Sequence, residues 1–147
     1  MPSVPPPPPA GTCQTAIERR VPFHETDAMG IVHHANYLRY CEEARVQWLE
    51  ENDKPYTWYV ENDVHFAVTR VELDYHASAR FHDRLEIKTW VETIRGASLR
   101  MGYRIARGDE ILVTGATEHA AVDSEGRVRR IPKEQRLNMK SKLELPA

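Results

Sequence analysis

The sequence predicts an α+β domain in which a curved antiparallel sheet wraps around one long helix. Two patterns predict it. From Tyr37 to about Asn52, the residues Tyr37, Cys41, Ala44 and Trp48, flanked by Leu38, Arg45 and Leu49, follow a helical period, with Arg39, Glu42, Glu43, Gln47 and Glu50 opposite them. After residue 63 the period falls to two, as Leu85, Ile87, Thr89 and Val91 alternate with Arg84, Glu86, Lys88 and Trp90, and Leu99, Met101, Tyr103 and Ile105 with Ser98, Arg100, Gly102 and Arg104. A sheet with one apolar face needs a cover, and this helix is the element long enough to supply it.

The elements follow in order. Residues 1–14 include five consecutive prolines, Pro5 to Pro9, which cannot enter a sheet or a helix interior; they read as a disordered, proline-rich arm. The folded domain is expected over residues 15–134, opening with a strand over 15–23 that stops at Pro22 and an acidic loop. Asn36 is placed to cap the helix with its amide oxygen, the helix runs roughly 22 Å, and Lys54-Pro55 closes it. The stretch PYTWYV, 55–60, reads as a less constrained segment able to join a pocket. Short turns at Arg95-Gly96 and Gly108-Asp109 make neighbouring strands antiparallel, and a last strand over 111–122 ends at SEGR, 124–127. Residues 127–142 carry seven basic side chains against Glu134 alone, so 135–147 reads as a solvated basic tail.

Composition excludes several classes. With 147 residues, 41% hydrophobic and 29% charged, the chain suits one soluble domain with a real core. A net charge of -2 gives no global attraction to nucleic acid. Two cysteines, Cys13 and Cys41, make no disulfide framework, and no apolar run approaches the roughly 20 residues of a membrane span. With no basic, apolar leader, the expected compartment is the cytoplasm.

Chemistry concentrates in ETDAMGIVHHANY, 25–37. His24, Asp27, His33 and His34 do not share the spacing of a zinc motif, and adjacent His33 and His34 are expected to point apart. Cys41 falls on the apolar stripe as a core residue, and no GxSxG elbow occurs. That leaves Asp27, before Gly30 and a helix whose first N–H groups are free. Gly30 permits a tight turn with no side chain in the way. Asp27 is either a cap for the helix or a carboxylate poised to attack a carbonyl, or to activate a water that does. A thioester suits so spare a site, because its thiol, with a pKa of about 8.5, leaves without a strong acid.

The stretch FHETDAMGIVHHANYLRYCEEAR, 23–45, resembles the signature of hotdog-fold acyl-CoA thioesterases of the 4-hydroxybenzoyl-CoA thioesterase and YbgC type. The likeness continues through FAVTRVELDYHASARFHDRLEI, TIRGASL and RVRRIPKE, across residues 15 to 134. The resemblance implies catalytic roles for Asp27, as nucleophile or general base, and for His34, whose backbone N–H would polarise the thioester carbonyl. It implies substrate contacts at Gly30, Tyr37, Arg95 and Ser98, the last two toward the CoA phosphates. Phe23 replaces a tyrosine common in YbgC relatives, and Glu25 reads as a structural hydrogen-bonding residue. The family uses no metal and no cofactor beyond the CoA of its acyl-CoA substrate, and it forms dimers or tetramers with the site between subunits. The basic end offers a surface for CoA phosphates or an acyl carrier protein. A non-catalytic acyl-CoA sensor is the alternative from another class, since one fold hosts many functions. A hotdog dehydratase would need a proline-glycine loop that is missing.

Overall fold

The computed structural model describes residues 12–143, so the proline-rich arm lies outside the described residues up to residue 11. Strand β1, Gln14–Arg20, is followed by a single 3-10 turn at Phe23–Glu25 and by helix α1, Ala35–Asn52. A short helix α2, Tyr56–Glu61, leads to strands β2, His65–Tyr75, β3, Arg84–Ile94, β4, Ser98–Arg107, and β5, Glu110–Val122. Helix α3, Lys133–Ser141, ends the described chain.

All strand pairs are antiparallel, in the order β1-β3-β4-β5-β2. The expected alternation holds: Leu85, Ile87, Thr89 and Val91 on β3, and Leu99, Met101, Tyr103 and Ile105 on β4, are all buried on the face toward α1. Gly108-Asp109 makes the two-residue turn between β4 and β5, with Gly108 at φ 59, where a glycine meets no steric cost.

The buried face of α1 is Asn36, Tyr37, Tyr40, Cys41, Ala44, Trp48 and Leu49. Trp48 is fully buried and donates its indole N–H to Cys13 O at 3.2 Å; truncating it to Ala would cost about 3–5 kcal/mol. The helix packs on β1 and β3 and reaches β4 through Arg45, which donates to the Tyr103 hydroxyl at 3.3 Å. It does not cover β2. No residue of β2 is buried, and Val68, Val71 and Tyr75 are 51%, 41% and 50% exposed.

Four expectations change. The first strand stops at Arg20, because Pro22 has no N–H to give a ladder and the chain turns at Phe23–Glu25. The helix starts earlier, at Ala35, and Asn36 lies inside its first turn instead of capping it. Residues 56–61 are helical, with Tyr59 fully buried and its hydroxyl donating to Asp53 and Tyr56 and Trp58 half-buried, so this segment is more constrained than its sequence suggests. The basic end is a helix docked on β3: Gln135 and Met139, one turn apart, are buried together, which the surrounding charges had masked.

Candidate active site

The loop between β1 and α1 is a miniature hairpin. Thr26 bridges Val32, the Asp27 N–H donates to Ile31 O at 2.9 Å, and the Gly30 N–H donates to Asp27 O at 2.9 Å. Gly30 has φ 75, the left-handed conformation that closes such a turn and that other residues adopt at a cost. The Asp27 carboxylate stands exposed at the tip; its Oδ1 accepts the Met29 N–H at 2.8 Å, and no group among the described residues donates to Oδ2. The hairpin is held from behind, where the Val32 N–H donates to Ala79 O at 2.8 Å and Ile31 bridges Arg80.

Glu25 clamps the neck of this hairpin. Its buried carboxylate accepts Arg19 Nη2 at 2.5 Å and the Tyr40 hydroxyl at 2.5 Å, joining β1, the loop and α1. Burial alone would raise the Glu25 pKa, but the Arg19 guanidinium and the Tyr40 hydroxyl bring it below the ordinary glutamate value. Its backbone oxygen accepts the His33 N–H at 2.9 Å. The structural role read for Glu25 is what the fold shows, whereas Arg19 and Tyr40 carried no mark in the sequence that would pair them with it.

At the helix start the two histidines stack, with ring centroids 4.3 Å apart, instead of pointing apart as expected. The cause is the tight turn into α1, in which the His33 Nδ1 accepts the Ala35 N–H at 3.2 Å and His34 already has helical φ and ψ. His33 thus satisfies a first-turn N–H, the task expected of Asn36. The Asn36 N–H donates to His33 O at 2.9 Å and the Tyr37 N–H to His34 O at 3.3 Å. Among the described residues, the His34 N–H has no acceptor in the chain. A free N–H at a helix start and a free carboxylate oxygen carried on the hairpin that leads into it can together serve one carbonyl, the N–H meeting a developing oxyanion and the carboxylate its carbon.

Tyr37, Arg95 and Ser98, the other expected substrate contacts, lie in two separate parts of the fold. Tyr37 is buried, and its hydroxyl accepts the Ala79 N–H at 3.0 Å; it supports the hairpin from below and touches the exposed Tyr75 ring, with centroids 5.6 Å apart. Arg95 and Ser98 close the β3–β4 turn, with the Arg95 N–H donating to Ser98 O at 2.9 Å. This turn lies at the far end of β3 from Arg80 and Asp27, so within one chain it is about 30 Å from the carboxylate. Arg95 does share a groove of about 220 Å³ with Gly96, Arg136, Leu137 and Lys140. Phe23 is exposed and meets Phe81 edge-on at 5.6 Å beside the hairpin.

Other candidates resolve simply. Cys41 is buried in the core, and burial pushes its thiol up to about 12. Among the described residues, no three His, Cys, Asp or Glu side chains gather as a metal site would require. No described helix is long and apolar enough to cross a membrane.

One long helix against a five-stranded antiparallel sheet, with an acid-bearing hairpin at the helix start, makes this a hotdog-fold protein. A crystal structure of a hypothetical protein from Thermus thermophilus superposes with a TM-score of 0.82 at 31% identity, covering 92% of this chain and 99% of that one. The chain belongs to the thioesterase-like superfamily, whose model matches residues 21–141. It is 35% identical over 97 residues to the acyl-CoA thioester hydrolase YbgC of Escherichia coli O6:H1, covering 66% of this chain and 72% of that protein. It is 33% identical over 105 residues to the acyl-CoA thioesterase YbgC of Haemophilus influenzae, covering 71% and 77%. The family makes the chain a thioester hydrolase.

Proposed function

We propose that the chain hydrolyses acyl-CoA esters, short-chain or aromatic, to the free acid and CoA. The observation that carries this reading is the pairing of an uncommitted Asp27 oxygen with an uncommitted His34 N–H at the two ends of one short hairpin. Asp27 attacks the thioester carbonyl carbon, giving an aspartyl anhydride that water then hydrolyses, or takes a proton from the water that attacks that carbon, and the His34 N–H donates to the oxygen on which charge develops. The CoA thiolate leaves with no strong acid to assist it. The names of the YbgC relatives support the substrate class.

The bare edge of β2 supports a dimer. β2 pairs with β5 on one side only, so alternate residues along it offer unpaired backbone groups at the sheet edge, and its apolar face is left open by α1, which is an invitation to a second copy. Antiparallel pairing of β2 with β2 of a second copy sets the Tyr75 end of one strand beside the His65 end of the other. That exchange moves the β3–β4 turn of the second copy toward Asp27, since Ser98 pairs with Ala120 near the His65 end. Arg95 and Ser98 of the second copy, with Arg136 and Lys140, then face the CoA phosphates. The same basic face would suit an acidic acyl carrier protein.

A coloured thiol assay with a panel of aliphatic and aromatic CoA esters tests this. Thiol release from at least one ester is expected; binding of these esters with no release from any of them would make the chain a non-catalytic acyl-CoA-binding protein.

A further inference from the structure

The peptide that carries the His34 N–H is pinned from its other end. His33 O accepts two hydrogen bonds from one residue, the Asn36 backbone N–H at 2.9 Å and the Asn36 Nδ2 at 3.3 Å. The second hydrogen of Nδ2 goes to Glu25 O at 3.1 Å. Glu25 precedes Asp27 in the hairpin and His33 follows it, so one buried amide group ties both sides of the neck together. In a trans peptide the C=O and the N–H point in opposite directions. Two donors drawing His33 O into the helix start therefore turn the His34 N–H outward. Its neighbours have no such freedom, because the N–H groups of His33, Ala35, Asn36 and Tyr37 all have acceptors in the chain.

We infer that Asn36 is a positioning residue for hydrolysis: its side-chain amide sets the plane of the His33–His34 peptide and so aims the His34 N–H at the substrate carbonyl. The inference rests on the reading of that N–H as the carbonyl-polarising donor. The chemistry explains the residue type. Only a side-chain amide this short brings two hydrogens to two carbonyl oxygens from the first turn of a helix. Aspartate has the same shape but no hydrogen to give, serine brings one, and glutamine places its amide a carbon further out. The same two bonds register the hairpin to the helix, so Asn36 also sets where Asp27 stands relative to the N–H.

The consequence is a loss in turnover without a matching loss in binding. Misdirecting one oxyanion donor is expected to lower kcat by about 10- to 100-fold, somewhat less than the loss of a donor outright. For Asn36→Ala and Asn36→Asp, KM should change by less than about threefold.

The decisive readout is the carbonyl stretch of bound substrate, measured by isotope-edited infrared spectroscopy. Benzoyl-CoA labelled with ¹³C at its thioester carbon is bound to the full chain carrying Asp27→Asn, which prevents turnover. A shift of the band to lower frequency on binding is expected, and Asn36→Ala in the same background should remove most of it with the ester still bound. Asn36→Ser, which keeps one donor, should give an intermediate shift and serves if Asn36→Ala does not fold. A full shift retained in the Asn36 variants would overturn the inference while leaving the N–H reading intact. If the Asp27→Asn chain itself shows no shift, the N–H reading fails and the role of Asn36 fails with it.

Discussion

The Tyr40 hydroxyl donates to Glu25 Oε1 at 2.5 Å, so the long helix and the loop that carries Asp27 are joined by a buried bond to a charged group. Arg19 completes the clamp from β1 and also donates to Glu43 at 2.8 Å. Glu25→Ala takes one of two carboxylate partners from a partly buried guanidinium and strands a buried hydroxyl, and should cost about 2–3 kcal/mol in urea unfolding; Tyr40→Phe should cost about 1–2 kcal/mol.

The same clamp sets an acid limit. The Glu25 pKa is lowered in the folded state, so the unfolded chain binds its proton first as pH falls. The stability it contributes is complete above the ordinary glutamate range and is lost as pH drops through the lowered folded value. The gap in unfolding free energy between wild type and Glu25→Gln should stay constant above about pH 5.5 and shrink below it. A gap that did not narrow in acid would remove the clamp from the account.

A second titration runs on the buried face of β5. Burial pushes the His119 imidazole down to about 3, with the Arg45 charge adding to the effect, and its Nε2 shares a hydrogen with Thr117 Oγ1 at 2.7 Å. Unfolded histidine takes a proton near pH 6.5 and the folded one does not, so this contribution is full above about 6.5 and falls toward 3. Between pH 6 and pH 5 wild type should lose about 1 kcal/mol more than His119→Gln, as read from urea unfolding at each pH.

Gly30→Ala tests the hairpin itself. Nothing lies within 4 Å of an added Cβ, so the penalty is conformational, from φ 75 alone. About 1 kcal/mol of stability should go, and a larger fractional loss in kcat is expected if the turn relaxes and moves Asp27. Gly30→Asn, which tolerates this φ better, should fall between Ala and wild type in both measurements.

Val71 is 41% exposed on the open face of β2, in the proposed dimer seam. Val71→Asp should shift sedimentation from dimer to monomer and reduce thiol release with it, while far-ultraviolet circular dichroism stays the same. A dimer unmoved by this change would send the interface elsewhere.

How much of this the sequence disclosed depends on which force each residue reports. Burial is periodic, so Trp48 on α1 and the runs at Leu85 and Leu99 were legible as a helix stripe and two strands. Gly30 and Asp27 were legible because a turn and a carboxylate have few other uses beside a helix start. Hydrogen-bond direction is not periodic. Asn36 reads equally as acceptor or donor, and only the proximity of Glu25 O and His33 O makes it a donor. The His33–His34 stack depends on a backbone turn that pattern does not encode. Strand β2 alternates imperfectly because its register shifts between Val68 and Arg70, and α3 hides two buried residues among six exposed or half-exposed polar ones.

The role of Asp27 is most directly tested by thiol release from the best CoA ester of the panel, comparing wild type with Asp27→Asn. The substitution keeps the shape and an Oδ1 able to accept the Met29 N–H, but removes the charge that attacks carbon or takes a proton from water. A fall in kcat of at least about 100-fold, with the ester still bound, is predicted. Equal rates from the two proteins would contradict the mechanism, even with the fold and family unchanged.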